Sequence, residues 1–243
     1  MAFAAGASAA LALWFGGPAV LRRLAIFRVR QVELVGVKRL APDAVIAALR
    51  LPARASVFTD TRLLADRVRG LAGVAEARVV RRLPAALAIE VREVEPAALV
   101  PGGAGGRGRA LVAVDGDGRA LPFDPARSGL DLPIAASADR AVVGVLARIQ
   151  SVDPALFHAI TSARALSRGD VLLELGPRRV LLGRDAGPEV IRAVVLVAQD
   201  LAARRRPYVE LDARFAGQVV VRRRSASVGS GGRGNGAGRG GGA

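Results

Sequence analysis

The alternation of hydrophobic and polar residues in the N-terminal part of the chain predicts a compact α+β unit. Alternating stretches are typical of half-buried strands, and apolar residues at helical spacing are typical of helices packed on one face. These patterns predict strand, helix, helix, strand and strand over residues 27–34, 41–51, 60–71, 74–82 and 86–93. Asp60 is predicted to cap the second helix. The predicted core residues are Leu34, Leu64, Val79 and Ile89.

The rest of the chain predicts a second, β-rich α+β unit and a tail. Residues 101–109 are Gly-rich and are interpreted either as a linker between the two units or as a long hairpin loop. Strands are predicted over residues 111–114, 171–175, 179–182, 208–211 and 218–222, and helices over residues 141–150, 154–160 and 188–204. Residues 225–243 are rich in Gly and Ser, which is typical of disorder. The predicted segments are therefore 1–25, 26–100, 101–224 and 225–243.

The first of these segments is predicted to be a single transmembrane anchor. Residues 2–21 carry no charge, and a helix of that length spans about 30 Å, the thickness of a hydrocarbon core. A cleaved signal peptide would need a basic stretch before the apolar run, and a buried soluble helix would carry a polar face. Arg22 and Arg23 follow the run, and the positive-inside rule would therefore place the rest of the chain in the cytoplasm. A basic tail before the run, omitted by a start codon placed too late, would instead allow the rest of the chain to lie outside the cytoplasm.

Composition narrows the chemistry but does not select a partner. The sequence holds 36 Lys and Arg against 21 Asp and Glu, a net charge of +15. Such a charge favours polyanions, which include nucleic acid, anionic lipid and acidic cell-wall polymers. The absence of Cys excludes disulfides, thiolate nucleophiles and sulfur-ligated metals.

No set of residues predicts catalysis or a cofactor. His158 is the single histidine, so a zinc site cannot be assembled. The sequence from Asp115 to Asp117 could begin a calcium loop, but Ala126 stands at the twelfth position, and a hairpin turn is favoured. Residues 102–106 lack the Lys and Ser/Thr of a phosphate loop. Three acidic residues beside Arg92 are interpreted as a solvated face: Glu90, Glu93 and Glu95.

Short motifs spread over the chain resemble the FtsQ/DivIB family of bacterial division proteins. The POTRA-like motifs are residues 32–36 (VELVG), 56–60 (SVFTD), 73–79 (GVAEARV), 81–84 (RRLP), 89–93 (IEVRE) and 95–98 (EPAA). Those resembling the family's β domain are residues 111–118 (LVAVDGDG), 132–134 (LPI), 180–183 (VLLG) and 208–215 (YVELDARF). Leu83 stands where the family has Trp, and Gly73 where it has Pro.

The resemblance implies a non-enzymatic scaffold of the division machinery. It implies a single-pass protein of the inner membrane, with its body outside the cytoplasm, at the division septum. The implied partners are FtsB and FtsL, together with septal peptidoglycan synthesis proteins, and the implied docking surface is the far end of the β domain.

The end of the second unit offers a physical reason for such docking. Residues 218–222 are followed by a Gly-rich tail, so we expect this strand at a sheet edge, where unpaired backbone groups invite an added strand. Proline in place of Val220 is expected to remove one such donor. Tyr208, Arg214 and Phe215 lie just before the strand and are the residue types favoured as anchors at interfaces. The alternative for Tyr208 and Phe215 is that they are core residues. The predicted partner-binding residues are Tyr208, Arg214, Phe215, Gln218, Val219, Val220, Val221 and Arg222.

Two other functions fit parts of the sequence. An Arg/Gly-rich nucleic-acid-binding protein would explain the charge and the tail. However, stacking aromatics are almost missing, at 4% of residues, and single-strand binders depend on them. A POTRA-bearing transporter component would be expected to repeat the unit. We therefore expect protein partners and a membrane, and no nucleic acid.

Overall fold

The computed structural model describes residues 24–102, 110–215 and 217–223. The chain forms two sheets, of three and eight strands, each with its own hydrophobic core. The predicted α+β fold is confirmed. The predicted anchor over residues 2–21 and the predicted tail over residues 225–243 lie outside the described residues.

Within the described ranges, we find no helix that is both long enough and apolar enough to cross a membrane.

The first sheet has the predicted order of elements, strand, helix, helix, strand and strand. Its strand order is β1-β3-β2, with β1 parallel and β2 antiparallel to the central strand. A short 3-10 helix precedes it at Ala25–Phe27. The elements are β1 (Gln31–Val35), α1 (Pro42–Leu49), α2 (Thr61–Arg69), β2 (Val74–Arg82) and β3 (Ala86–Glu93).

The core of this unit lies between the two helices and one face of the sheet. Of the four residues predicted for it, Leu64 and Ile89 are fully buried, Val79 is 8% exposed, and Leu34 is half-buried against the others. The buried cluster comprises Leu40, Val45, Leu49, Val57, Leu64, Ala65, Val68, Val79, Leu87, Ile89 and Val91.

Asp60 caps the second helix, as predicted. Its side chain accepts hydrogen bonds from the backbone N–H groups of Arg62, at 2.9 Å, and Leu63, at 3.4 Å. These bonds satisfy two donors that the first turn of α2 leaves without partners.

Asp60→Ala is therefore expected to destabilise the first unit by about 1 kcal/mol, because it removes the cap. Asp60→Asn retains an accepting oxygen and serves as the matched control, with a change of less than about 0.5 kcal/mol. Urea unfolding followed by circular dichroism measures both. Equal stability of the alanine and asparagine variants would contradict the capping role.

Glu93 is not part of a solvated face, and the interpretation from the sequence was wrong for this residue. It is 8% exposed, because it continues the inward-facing row of Leu87, Ile89 and Val91 along β3. Its carboxylate accepts the backbone N–H groups of three successive residues, Lys38, Arg39 and Leu40, at 2.8–3.1 Å. The end of β3 is thereby fastened to the loop between β1 and α1.

The second sheet contains eight strands in the order β11-β10-β9-β8-β7-β6-β4-β5. The strands are β4 (Ala98–Pro101), β5 (Leu111–Val114), β6 (Ile134–Ala135), β7 (Ser162–Ala165), β8 (Val171–Leu175), β9 (Arg178–Leu182), β10 (Glu210–Ala213) and β11 (Val220–Arg222). The helices are α3 (Pro125–Ser128), α4 (Arg140–Val152), α5 (Pro154–Ala159) and α6 (Pro188–Ala203), with a 3-10 turn at Ser167–Gly169.

Three strands of this sheet were not predicted: β4, β6 and β7. Because β4 begins at Ala98 and pairs with β5 and β6, the chain passes from one sheet to the other between Glu93 and Ala98. The predicted boundary between the two units, at residue 101, therefore lies three residues after the start of β4. Asp115 accepts the N–H groups of Asp117 and Arg119 and forms the predicted turn.

The two long helices, α4 and α6, cover one face of the eight-stranded sheet. Alternate residues of β8, β9 and β10 point toward them and form the core with Phe157, Ile191 and Val194. The opposite row carries charges: Glu174, Arg179, Glu210 and Arg222 lie side by side on four neighbouring strands. The same face also carries Leu172 and Leu181, which are buried, so it combines a row of charges with apolar side chains.

Candidate partner-binding edge

β11 lies at one end of the eight-stranded sheet, as predicted for the final strand. Within the described residues it pairs with β10 alone, antiparallel, and Glu210 is opposite Arg222 while Asp212 is opposite Val220. The strand is shorter than predicted and begins at Val220. Gln218 lies in the preceding turn, where its N–H donates to the carbonyl of Phe215 at 3.2 Å.

The backbone of β10 shows which of its residues face β11. The N–H of Arg179 in β9 donates to the carbonyl of Val209 at 2.9 Å, and β9 and β10 are parallel. In a regular strand, successive residues direct their hydrogen-bonding groups to opposite sides. Leu211 therefore faces β9, whereas Glu210 and Asp212 face β11.

This alternation corrects the expected effect of proline at Val220. Because Val220 and Arg222 are opposite the residues of β10 that face β11, their own N–H groups point inward, to β10. The residue that directs its N–H and C=O to the open edge is Val221. A proline at Val220 would break the pairing of β11 with β10 instead of removing an outward donor.

Side chains of the edge segment alternate between core and solvent. Val219 and Val221 are half-buried and pack against the core of the sheet. Val220 is 42% exposed, and Arg222 forms an ion pair with Glu210 at 3.3 Å. Among the described residues, the backbone groups of Val221 thus have no partner on the outer side of β11, while its side chain stays packed against the core.

Arg214 is engaged within the chain. Its guanidinium donates to both oxygens of Asp212, at 2.8 and 2.7 Å, and to Asp170 at 3.1 Å. The hydrogen bonds from Arg214 hold the pKa of the Asp212 carboxyl below its ordinary value of 3.8, although burial acts in the opposite direction. Arg214 therefore fastens the end of β10 to the residue that precedes β8.

The two predicted aromatic anchors differ in exposure. Phe215 is 55% exposed and is not a core residue, and the Arg214 guanidinium lies 6.0 Å from its ring centre. Tyr208 is half-buried against the core, with the Arg178 guanidinium 5.4 Å from its ring centre. Phe215 is the more accessible of the two.

A basic groove of about 760 Å³ lies beside the C-terminal end of β11, next to Arg223. This groove was not predicted from the sequence. Tyr208 lines it, together with the end of α6 and the turn between β8 and β9. Its four arginines are Arg178, Arg205, Arg206 and Arg223. The run of arginines at residues 204–206, directly after the clearest helical pattern and before Tyr208, was the available signal in the sequence.

Comparison with known proteins gives two matches. Residues 27–93 match the model of the FtsQ-type POTRA domain. A curated relative, the cell division protein FtsQ of Anaeromyxobacter sp. (strain K), is 30% identical over 164 residues, which is 65% of this chain and 45% of the relative. The chain therefore spans less than half the length of that relative.

The first unit, with its order of strand, helix, helix, strand and strand, matches the FtsQ-type POTRA domain, and we refer to it as the POTRA domain. Both matches agree with the motifs found along the sequence. The resemblance of the chain to the FtsQ/DivIB family of bacterial division proteins is thereby confirmed.

Proposed function

We propose that this chain is a non-enzymatic scaffold of the bacterial division machinery that binds protein partners at the open edge of β11. The observation that carries the proposal is the outward-facing backbone of Val221 at the end of the sheet. An extended partner segment can add a strand there and satisfy those groups. The match to an FtsQ-type POTRA domain and to a relative named cell division protein FtsQ supports a role in cell division.

The surroundings of the edge favour an acidic partner. Arg178, Arg205, Arg206 and Arg223 line the adjacent groove, and charge complementarity both accelerates association and selects partners. Exposed Phe215 offers an aromatic contact at the other end of the strand. By family resemblance we propose FtsB and FtsL as partners. We also propose a link to septal peptidoglycan synthesis, with a membrane anchor at residues 2–21 and the body outside the cytoplasm at the septum.

Val221→Pro is expected to reduce affinity for a partner segment of FtsB at least about tenfold, since it removes the outward donor and places a ring at the edge. Val221→Ala is the matched control. It loses comparable packing but keeps the N–H, and we expect its affinity to stay within about threefold of the wild type. Binding of the purified full chain to the immobilised segment measures both. Hydrogen exchange of β10 confirms that the sheet remains folded.

Equal affinities of the two variants would reject the edge as the binding surface. A fluorescent fusion of the wild-type chain is expected to form a band at midcell. Nucleoid staining would instead support a nucleic-acid-binding protein and overturn the scaffold proposal.

A further inference from the structure

Three segments of the POTRA domain meet at the end where the chain enters it. The N–H of Val29 donates to the carbonyl of Ala55 at 2.9 Å, and the N–H of Arg30 donates to the carbonyl of Ala85 at 2.8 Å. The entry segment, residues 24–31, therefore lies between residues 53–58 and residues 81–86, which comprise the end of β2, the turn and the start of β3. We refer to these three segments together as the entry end.

The charge of the entry end is one-sided. Its three segments contain five arginines and no Asp or Glu. Arg81 donates to the carbonyls of Val57 and Thr59 and is used within the domain. The other four are exposed, and in the part of the chain that the structure describes they form no ion pair. These four are Arg28, Arg30, Arg54 and Arg82.

Large apolar side chains are exposed among these arginines. Leu24 is 45% exposed, Ile26 is 57% exposed, and Leu83 is 63% exposed, more than most apolar residues of the domain. Apolar side chains interspersed with arginines are typical of surfaces that lie in the headgroup region of an anionic membrane. A purely electrostatic contact with a soluble polyanion would not need them.

The sequence places this end next to a membrane segment. Two residues, Arg22 and Arg23, separate the uncharged run at 2–21 from Leu24. A bilayer that holds the run must therefore lie within a few residues of the entry end. This argument rests on the anchor included in the proposed function.

We infer that the entry end of the POTRA domain docks on the anionic surface of the membrane that holds residues 2–21. The exposed leucines and isoleucine enter the headgroup region, and the four exposed arginines contact lipid phosphates. Docking would fix the orientation of the POTRA domain relative to the bilayer.

The absence of native Cys makes a site-specific probe straightforward. The full chain carrying Ala53→Cys, at an exposed position beside Arg54, is labelled with an environment-sensitive dye and reconstituted into vesicles. One set is phosphatidylcholine alone, and the other contains phosphatidylglycerol in addition. Leu196→Cys, on an exposed position of α6, is the matched control. Quenching by headgroup-linked nitroxides reports contact with the surface.

We expect quenching at residue 53 in the phosphatidylglycerol vesicles, little quenching in phosphatidylcholine alone, and none at residue 196. Combined Arg30→Gln, Arg54→Gln and Arg82→Gln should lower the ratio of docked to undocked domain roughly 100-fold, at about fivefold for each arginine. All three residues are exposed, so circular dichroism should be unchanged.

Vesicle flotation separates the two proposals. A chain that floats with the vesicles but shows no quenching at residue 53 retains its anchor and overturns the docking. Quenching that is equal in both kinds of vesicle, or unchanged by the three substitutions, also overturns it, because charge would then play no part. Failure to float would overturn the anchor and the docking together.

Discussion

Glu93→Gln is expected to destabilise the POTRA domain by roughly 2–3 kcal/mol near neutral pH, the usual contribution of hydrogen bonds to a charged group. The carboxylate receives N–H groups from Lys38, Arg39 and Leu40, and successive N–H groups aimed at one point form a site for an anion. Glutamine is neutral, and its amide NH₂ group, which donates hydrogen bonds, would lie against backbone N–H groups that also donate. At 8% exposure, Glu93 has little access to water that could replace these hydrogen bonds.

The effect of this substitution should depend on pH. Burial raises the pKa of Glu93, but the three backbone N–H groups and Arg39 lower it further, so it lies below its ordinary value of 4.5. A carboxyl with a lowered pKa in the folded state stabilises the fold fully above its unfolded pKa. That stabilisation is lost as the pH falls through the lower, folded pKa. The wild type should therefore converge on the glutamine variant as the solution is acidified below about pH 4.5.

Urea unfolding of both proteins at several pH values, followed by circular dichroism, measures the difference. Glu95→Gln is the matched control, because Glu95 is exposed two residues further along, and a change within about 0.5 kcal/mol is expected. A difference between wild type and Glu93→Gln that does not shrink in acid would show that charge is not what stabilises this contact.

Leu64→Ala is expected to cost about 2–5 kcal/mol, through lost burial and the cavity left behind. Leu64 is fully buried in α2, against the first sheet. Its neighbour Leu63, on the same helix, is 47% exposed. Leu63→Ala removes the same atoms from the surface and should change stability by less than about 1 kcal/mol.

Hydrogen exchange with mass spectrometry shows which of the two units is destabilised by each substitution, because the two sheets have separate cores. Protection should fall in β2 and β3 for Leu64→Ala and remain unchanged in β8 and β9. Similar losses of protection for Leu63→Ala and Leu64→Ala would mean that α2 does not pack on the sheet through Leu64.

The POTRA domain was predictable because its strands are long and half-buried. In β3, Leu87, Ile89 and Val91 mark the inner face, and the same alternation also placed Glu93 inside. Glu93 was predicted to be solvated because its side chain is charged, and its inward position in β3 contradicts that prediction. The position of Glu93 in this row was therefore a sequence signal for a buried carboxylate. Its three N–H partners were not predictable, because they come from a loop more than 50 residues away in the sequence.

Other features depend on contacts between distant segments. β7 has the sequence SARA and β6 contains two residues, so neither carries a hydrophobic period of its own. Both strands form because they pair with neighbours in the sheet, β6 with β4 and β7, and β7 with β6 and β8. The edge position of β11 followed from the sequence, but the direction of the Val221 backbone depends on its register with β10. The basic groove likewise combines residues from three separate parts of the chain.

The shortness of β11 has a mechanical consequence. Three residue pairs join it to β10, whereas Arg214 ties β10 itself to Asp170 as well as to its own strand. Tension along a partner strand paired with β11 would be carried in shear by these few hydrogen bonds. Within β11, Val221 faces the partner, whereas Val220 and Arg222 face β10. Under a rising pull the partner strand would therefore detach first, and β11, β10 and the helix-covered core would keep their structure.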